Sequence, residues 1–442
     1  MNTNRRTFLK TTALAAAPFI LPSTVWAAKT KPSDKIVMGF IGMGKQSRGL
    51  LGTFLRFPEV RVVAVCDVDT TRRNDAQAKV NEYYTANPAQ GSADCAAYND
   101  FRELIARGDI NAVCIATPDH WHAIPTIAAL EAGMDVYCEK PLTHNIHEAI
   151  AVMDAVKKNK GVLQTGSMQR SSKEFRIACE LVRNGVIGKI RHVDVSFGPP
   201  GVPCNLPEEP MEPGLDWEMW IGPGPMRPYS SVLSPRGMHD HFPDWRSYKE
   251  YGGGMVCDWG AHHIDIAQWG LGMDNSGPVK VQAPDDPNAV NGAIMTYKNG
   301  VTVKHVDGFG AEFFGSDGEV KVNRGRIEFY LNGKKIAGFV DRADGSLGDT
   351  LRTIEEEYLK NARVQLYRSD NHLRDFIDCV KSRKKPITSE IVGGRTAICC
   401  HLMNQAYYNH TTIEWKPKRM EFAKGSGNPA WLTRDYRAPW KV

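Results

Sequence analysis

Beyond Leu21 this chain of 442 residues contains no apolar run approaching the roughly 20 residues needed to cross a membrane. It also lacks a CxxC pair, an internal repeat, a low-complexity tract and, beyond one short cluster, any stretch where basic residues concentrate. The missing CxxC weighs against disulfides and toward free thiols. The missing basic face argues against nucleic acid as a partner. The formal net charge is +5, but Arg5, Arg6 and Lys10 fall within the first 27 residues, where no acid balances them. The short cluster from Lys381 to Lys385, before Pro386, reads as a solvated helix end. The whole chain is 42% hydrophobic and 24% charged, the balance of a globular protein long enough for two domains.

The N-terminus reads as an address. Asn4-Arg5-Arg6-Thr7-Phe8-Leu9-Lys10 is a twin-arginine motif, followed by the apolar stretch Thr11 to Leu21 and small residues at Val25-Trp26-Ala27. Residues 1–27 are therefore expected to direct export to the periplasm by the twin-arginine route, with no membrane attachment after cleavage. That route carries folded proteins, which suits an enzyme loaded with a cofactor before export. Ten cysteines in an oxidising compartment would ordinarily suggest disulfides. Most of these lie in apolar strand-like or helix-like sequence, so buried free thiols are expected. A bridge involving Cys95 or Cys204, both in loop-like sequence, stays open.

The apolar run Lys35 to Ile41 ends in glycines, as a buried parallel strand should, and helix-like sequence follows from Ser47 to Phe57. Strands are expected over 60–66, 112–116, 135–138 and 162–165, and helices over 71–84, 101–105, 122–132 and 146–159. This alternation predicts an α/β fold with a doubly wound parallel sheet, a Rossmann domain over residues 35–165. From about residue 186 the strands are separated by Asn299-Gly300, Asp317-Gly318 and Asn332-Gly333, which are hairpin signals. Residues 166–442 are therefore expected to form an α+β domain on a large, mostly antiparallel sheet. The Pro-, Gly- and Trp-rich segment from Pro199 to Tyr251 is long for a loop, and such loops usually serve function.

Gly42-Met43-Gly44 follows the first strand and opens a helix. The first glycine permits a tight turn, and the second lets the backbone approach a pyrophosphate at the helix N-terminus. The third glycine of GxGxxG is Ser47 here, a small residue, with Gly49 two positions on. Asp67 ends the second strand, 23 residues past Gly44, where a carboxylate can bind the adenosine ribose diol. An acid there favours NAD, while Arg72 and Arg73 leave NADP open. Ala116-Thr117-Pro118-Asp119-His120-Trp121-His122 and Cys138-Glu139-Lys140-Pro141 lie at the carboxyl ends of strands, where open α/β sheets place their ligands. The candidate cofactor contacts are thus Gly42, Met43, Gly44, Asp67, Thr117, Pro118, His122, Glu139, Lys140 and Gln169. Lys140, at a strand tip, can polarise a reacting oxygen.

A third constellation runs from Gly252-Gly253-Gly254 to Asp258, His262, His263 and Asp265. Asp258 and His262 are i,i+4, so on a helix they can hydrogen-bond or meet one ligand together. His263 points elsewhere and reads as packing, and Asp265 as a cap or ion-pair partner.

The GxG turn, the acidic end of the second strand, Glu139-Lys140-Pro141 and Gly252-Gly253-Gly254…Asp258-x-x-x-His262 together resemble the Gfo/Idh/MocA family. That family is named for glucose–fructose oxidoreductase, inositol dehydrogenase and a rhizopine-catabolism protein. The resemblance runs from about residue 35 to the C-terminus and includes Asn371 to Phe376, Ser382 to Pro386 and the final Tyr436 to Trp440. It implies a homo-oligomer, dimer or tetramer, assembled through the open sheet face, and catalytic roles for Lys140, Asp258 and His262. The glucose–fructose branch also pairs a twin-arginine signal with a cofactor that does not dissociate. The leading expectation is an NAD(P)-dependent oxidoreductase acting on a sugar, glycoside or polyol hydroxyl. The alternatives are a glycosidase working through transient oxidation and a non-catalytic sugar-binding relative. His120-x-His122, His239-x-His241 and His262-His263 look ligand-like, but no Cys or Glu completes a set at usual spacing, so no metal site is expected. Trp217, Trp220, Tyr229, Trp245, Tyr248 and Tyr251 suit either a sugar-stacking wall or the packing of their own loop.

Overall fold

Strand β1 (Ile36–Ile41) is buried along almost its whole length, and so are β2 (Val60–Cys66), β4 (Ala112–Ile115) and β5 (Asp135–Cys138). Strands buried on both faces belong inside a parallel sheet. In the computed structural model, which describes residues 35–442, β3 (Ala96–Tyr98) and β6 (Leu163–Thr165) flank them in the order β3-β2-β1-β4-β5-β6. All five pairings are parallel. The twin-arginine motif lies outside the described residues.

Helices α1 (Lys45–Phe54), α2 (Thr70–Ala86), α3 (Phe101–Ile105), α4 (Ala123–Glu131) and α5 (Ile146–Asn159) cover both faces. One side of the core gathers Phe40, Phe54 and Tyr137, the other Ile115, Leu130 and Val136. Asp69 caps α2 by accepting from the N–H groups of Thr71 and Arg72, and Asn145 caps α5 through the Glu148 N–H. Helix α6 (Lys173–Arg183) leads away from this sheet. Its buried Arg176 pairs with Glu180 at 2.7 Å.

The second sheet has ten strands. Its members are β7 (His192–Ser196), β8 (Lys280–Gln282), β9 (Ile294–Thr296), β10 (Thr302–Val306), β11 (Ala311–Phe314), β12 (Gly318–Asn323), β13 (Arg326–Leu331), β14 (Lys334–Phe339), β15 (Thr412–Lys416) and β16 (Glu421–Phe422). Their order is β14-β13-β12-β11-β7-β10-β9-β8-β15-β16, antiparallel except for the β7–β10 pair. Each of the three turn dipeptides joins a hairpin, and at Asn332-Gly333 both residues have positive φ, as a type I′ turn requires. Burial alternates along β7, because one sheet face packs on helices and the other is open.

The remaining helices are α7 (Trp217–Ile221), α8 (Gly254–Asp258), α9 (Gly260–Leu271), α10 (Leu347–Tyr358), α11 (His372–Ser382) and α12 (Glu390–Asn409), of which α9, α10 and α12 join α6 against the second sheet. The division between the two halves is not a clean cut in the chain. Helix α11 buries Leu373, Phe376 and Ile377 in the Rossmann core, and α12 packs on α5. Trp440 meets Trp121 edge-on with centroids 4.7 Å apart. The segment 199–251 builds a small core of its own around Trp217, Trp220, Tyr229 and Tyr251. All ten cysteines are free, Cys95 and Cys204 among them. Among the described residues no helix is long and apolar enough to cross a membrane.

Candidate active site

The turn after β1 is set by Gly42, whose φ is +84°. A Cβ there would lie 2.8 Å from the Thr117 backbone nitrogen, so only glycine lets β1 and the 116–117 segment approach this closely. Gly44 caps α1, and a Cβ on it would meet nothing within 4 Å. Its α-carbon therefore faces open space beside the unpaired N–H groups of the first helical turn, where an anion is favoured. Ser47 takes the third glycine's place: it is fully buried and small enough to keep α1 tight on the sheet. Gly49 has open space around it and plays no part in that packing.

A cavity of about 710 Å³ opens at the carboxyl ends of these strands, within the roughly 300–1,000 Å³ typical of ligand sites. Its wall includes Gly42, Gly44, Asp67, Thr117, Pro118, His122, Glu139, Lys140 and Gln169 from the Rossmann half, and Asp258 and His262 from the other half. Met43 is the exception among the expected contacts. Its side chain is buried in the Rossmann core and its N–H donates to Asp67 Oδ2 at 2.6 Å, so it shapes the turn instead of facing the cavity. Asp67 Oδ1 accepts from the Asp69 N–H at 2.8 Å. Burial pushes the Asp67 carboxyl up, against Arg72 and these two N–H groups.

His122 lies on the wall with Nδ1 2.7 Å from the Pro141 carbonyl and Nε2 2.9 Å from the Thr117 carbonyl; a neutral ring carries one N–H and donates to one of the two. Burial lowers its pKa to about 4, keeping it neutral. Nor are Arg72 and Arg73 spare cations. Arg73 donates to the Asp67 carbonyl at 2.5 Å and to Asn99 Oδ1 at 3.0 Å. Arg72 donates to the carbonyls of Pro235 and Gly237. Together with Lys45, which bonds the Asp240 carbonyl, and Arg48, which pairs with Asp240 at 2.9 Å, it fastens the segment 233–246 over the phosphate turn.

At the other end of the cavity Lys140, from the tip of β5, forms an ion pair with Asp258 Oδ1 and reaches the Asp258 carbonyl at 3.2 Å. Arg246 stands 3.6 Å from the same carboxylate. Burial alone would raise Asp258, but Lys140 and Arg246 outweigh it and hold the carboxyl below its usual range. The chain stays in helical conformation through Trp259 between α8 and α9 but tightens there, the His262 N–H bonding the Trp259 carbonyl three residues back at 2.9 Å. Gly254, with φ of +66°, allows the Pro200–Gly201 backbone to pass against the start of α8. Asp258 and His262 share the cavity without bonding each other. His262 Nδ1 is buried with no partner among the described residues. Burial, with Lys140 and Arg324 nearby, pushes His262 well below the usual imidazole range, so it is neutral at pH 7. His263 faces elsewhere and donates from Nδ1 to the Ser196 carbonyl at 2.5 Å. Asp265 is buried in an ion pair with Arg170 at 2.8 Å.

Three wall residues were not legible in the motifs. Asp119 sits in a motif that drew attention for its neighbours, and burial beside Asp258 pushes its carboxyl well up. Arg246 and Arg324 arrive from distant segments and carry no sequence signal. Trp220 and Trp245 border the cavity, whereas Trp217, Tyr229 and Tyr251 pack the loop's own core. His120 and His239 meet backbone carbonyls through Nε2 and Nδ1 respectively.

The residues present fit a nicotinamide cofactor. Thr117 Oγ1, both amide atoms of Gln169 and His262 Nδ1 belong to cavity-lining residues and are buried without protein partners, and buried polar atoms are ordinarily satisfied. A glycine turn at a helix N-terminus, an acid at the end of β2 and a cavity between two domains define a dinucleotide-binding oxidoreductase fold. Residues 36–167 match the NAD-binding Rossmann fold of the Gfo/Idh/MocA oxidoreductase family, and residues 187–442 match its C-terminal alpha/beta domain. The chain belongs to this family. It is 28% identical over 214 residues to a glycosyl hydrolase family 109 protein of Shewanella pealeana, covering 45% of this chain and 46% of that one. It is 27% identical over 205 residues to one from Saccharopolyspora erythraea, covering 42% and 44%. The chain thus spans less than half the length of the curated relatives it matches. Among solved structures, levoglucosan dehydrogenase in complex with NADH and levoglucosan is 18% identical, with 87% of this chain and 100% of that one covered and a TM-score of 0.55. Aldose–aldose oxidoreductase from Caulobacter crescentus, complexed with glycerol, is also 18% identical, with 86% and 99% covered and a TM-score of 0.56. At this identity the likeness is one of fold.

Proposed function

We propose that this protein oxidises a hydroxyl of a sugar, glycoside or polyol with an NAD that stays bound through the cycle. The observation that carries the reading is the convergence of Lys140, Asp258 and the unpartnered His262 Nδ1 at one end of the dinucleotide cavity. When bound, NAD supplies a hydride acceptor at nicotinamide C4. His262, neutral and with Nδ1 free, takes the hydroxyl proton as the C–H hydrogen leaves with its electron pair. Lys140 donates a hydrogen bond to the same oxygen, countering the negative charge that develops there. Asp258 holds the Lys140 ammonium in place. Asp67 offers its remaining lone pairs to the ribose diol, and the first turn of α1 receives the pyrophosphate. The segment 233–246, fastened by Lys45, Arg48 and Arg72, supports retention of the cofactor.

The twin-arginine motif supports export to the periplasm with the cofactor already loaded. With no nicotinamide pool outside the cytoplasm, the hydride must return to a substrate on the protein. The relatives named glycosyl hydrolase family 109 support a second route, in which oxidation, elimination of the glycosidic oxygen, hydration and reduction occur on one sugar. The test mixes purified holoenzyme with sugars, polyols and chromogenic glycosides while following bound-nicotinamide absorbance and aglycone release. Reduction by a free sugar, reversed by a second sugar, is the expected result. Aglycone release with no lasting change in absorbance assigns the glycosidase route. His262→Ala should slow reduction by about a hundred- to ten-thousand-fold with cofactor content unchanged. Wild-type rates in His262→Ala would overturn the assignment.

A further inference from the structure

The turn between β12 and β13, Asn323-Arg324-Gly325, reaches from the ten-stranded sheet to the cavity wall beside Asp258 and His262. It is held there. The Gly325 N–H donates to Glu174 Oε1 at 3.0 Å, and the Asn323 side-chain amide donates to the Phe309 carbonyl. Glu174 is itself buried on α6, so the turn is fixed against a solid support.

Arg324 lies with its guanidinium carbon 4.7 Å from the centroid of the Trp259 ring. The other cations on the cavity wall are engaged. Lys140 and Arg246 share Asp258, Lys45 and Arg72 fasten the 233–246 segment, and the nearby Glu174 is turned to Gly325. Among the described residues the Arg324 guanidinium has neither a carboxylate partner nor a hydrogen bond to protein. A guanidinium lying over an aromatic ring keeps its N–H edges available, and that edge matches a carboxylate or another oxyanion in a two-point fork. Its charge reaches both Asp258 and His262, so an anion on Arg324 belongs to the molecule whose hydroxyl meets His262.

We infer that Arg324 is a substrate-recognition residue, and that the substrate is a sugar or polyol carrying an anionic group, a carboxylate or a sulfate or phosphate ester. The inference rests on the oxidoreductase reading for the identity of the ligand as a sugar, but its test separates the two. Trp259 orients the guanidinium, Arg324 receives the anion, and the hydroxyl to be oxidised falls between Lys140 and His262.

The experiment titrates holoenzyme with hexuronates, hexose sulfates, hexose phosphates and their neutral parents. Binding is read as quenching of bound NADH fluorescence, and turnover as nicotinamide absorbance. The anionic sugar should half-saturate at about 10- to 100-fold lower concentration than its neutral parent, the size of one charge-assisted hydrogen-bonded contact. Added salt should narrow the gap. Arg324→Gln should collapse the gap between anionic and neutral sugars, and Arg324→Lys should restore part of it. The rank among uronate, sulfate and phosphate identifies the anion. Equal half-saturation of wild type by anionic and neutral sugars, no binding of any anionic sugar, or an Arg324→Gln variant that keeps the preference would overturn the inference. Arg324-dependent binding with no change in nicotinamide absorbance would instead sink the oxidoreductase reading and leave this one standing.

Discussion

His372 opens α11 with its ring buried between the two halves of the protein. Nε2 lies 2.9 Å from the Thr165 carbonyl, and Nδ1 lies 2.8 Å from Ser171 Oγ. A carbonyl only accepts, so Nε2 carries the hydrogen, and neutral Nδ1 accepts from the Ser171 hydroxyl. Burial lowers the His372 pKa to about 4. An unfolded chain takes up this proton near pH 6.5, whereas the folded one refuses it until about 4. The stability this contributes is therefore present above pH 6.5 and is lost as pH falls from 6.5 toward 4. At pH 5 the gap spans about 1.5 pH units, and at 1.36 kcal/mol per unit the loss is about 2 kcal/mol. His372→Gln keeps a donor but cannot titrate. The stability advantage of wild type over His372→Gln, measured by urea unfolding, should shrink by about 2 kcal/mol between pH 7.5 and pH 5. Carboxyls such as Asp67 and Asp265, which burial pushes up, contribute with the opposite sign but cancel in this difference. An advantage that stays constant across the range, or an NMR titration of His372 near 6.5, would refute the reasoning.

The two glycines of the phosphate turn should separate folding from cofactor binding. Gly42→Ala, forced against the Thr117 backbone at positive φ, should lower the melting temperature and empty the protein of nicotinamide. Gly44→Ala meets no protein atom, so it should fold normally and still lose cofactor on gel filtration; full retention would deny the turn its phosphate role. Arg170 is 2% exposed by side chain and faces Asp265 and Asp274. Arg170→Met leaves the buried Asp265 carboxylate uncompensated and should cost about 3–5 kcal/mol in urea unfolding. His263→Ala, away from the cavity, should cost stability more than rate. If His263→Ala abolishes nicotinamide reduction and His262→Ala does not, the site must be rebuilt around the other histidine. Removing residues 434–442 deletes the Arg434 contacts to buried Glu148 and to the His120 carbonyl, together with the Trp440–Trp121 pair. Protease sensitivity in the Rossmann half should rise, and an unchanged digestion pattern would count against that bracing role.

The long strands of both sheets were readable because burial writes itself into sequence: runs of Val, Ile and Ala where both faces are covered, alternation where one face is open. The strands not expected from the sequence, β3, β8, β11, β15 and β16, are two to five residues long, too short for a period to declare itself. Helix α6 was hidden by Glu174, Arg176 and Glu180, charged residues that are buried only because each finds a partner elsewhere in the fold.

The candidate site divides in the same way. Gly42, Gly44, Asp67, Lys140, Asp258 and His262 stood in short motifs whose chemistry follows from local geometry, so the chain alone placed them at strand ends and helix starts. Their pairing was a different matter. Asp258 turned to Lys140, 118 residues earlier, and not to His262 four residues later. Arg324 joined the wall from a hairpin on the far sheet, and the 233–246 segment is tied to the start of α1 by contacts 191 and 195 residues apart in sequence. Sequence by itself determines what lies within a few residues, since backbone sterics and the burial period act at that range. Which distant charges meet is decided only when the core closes, because an ion pair between remote segments has no local energy to leave in the sequence.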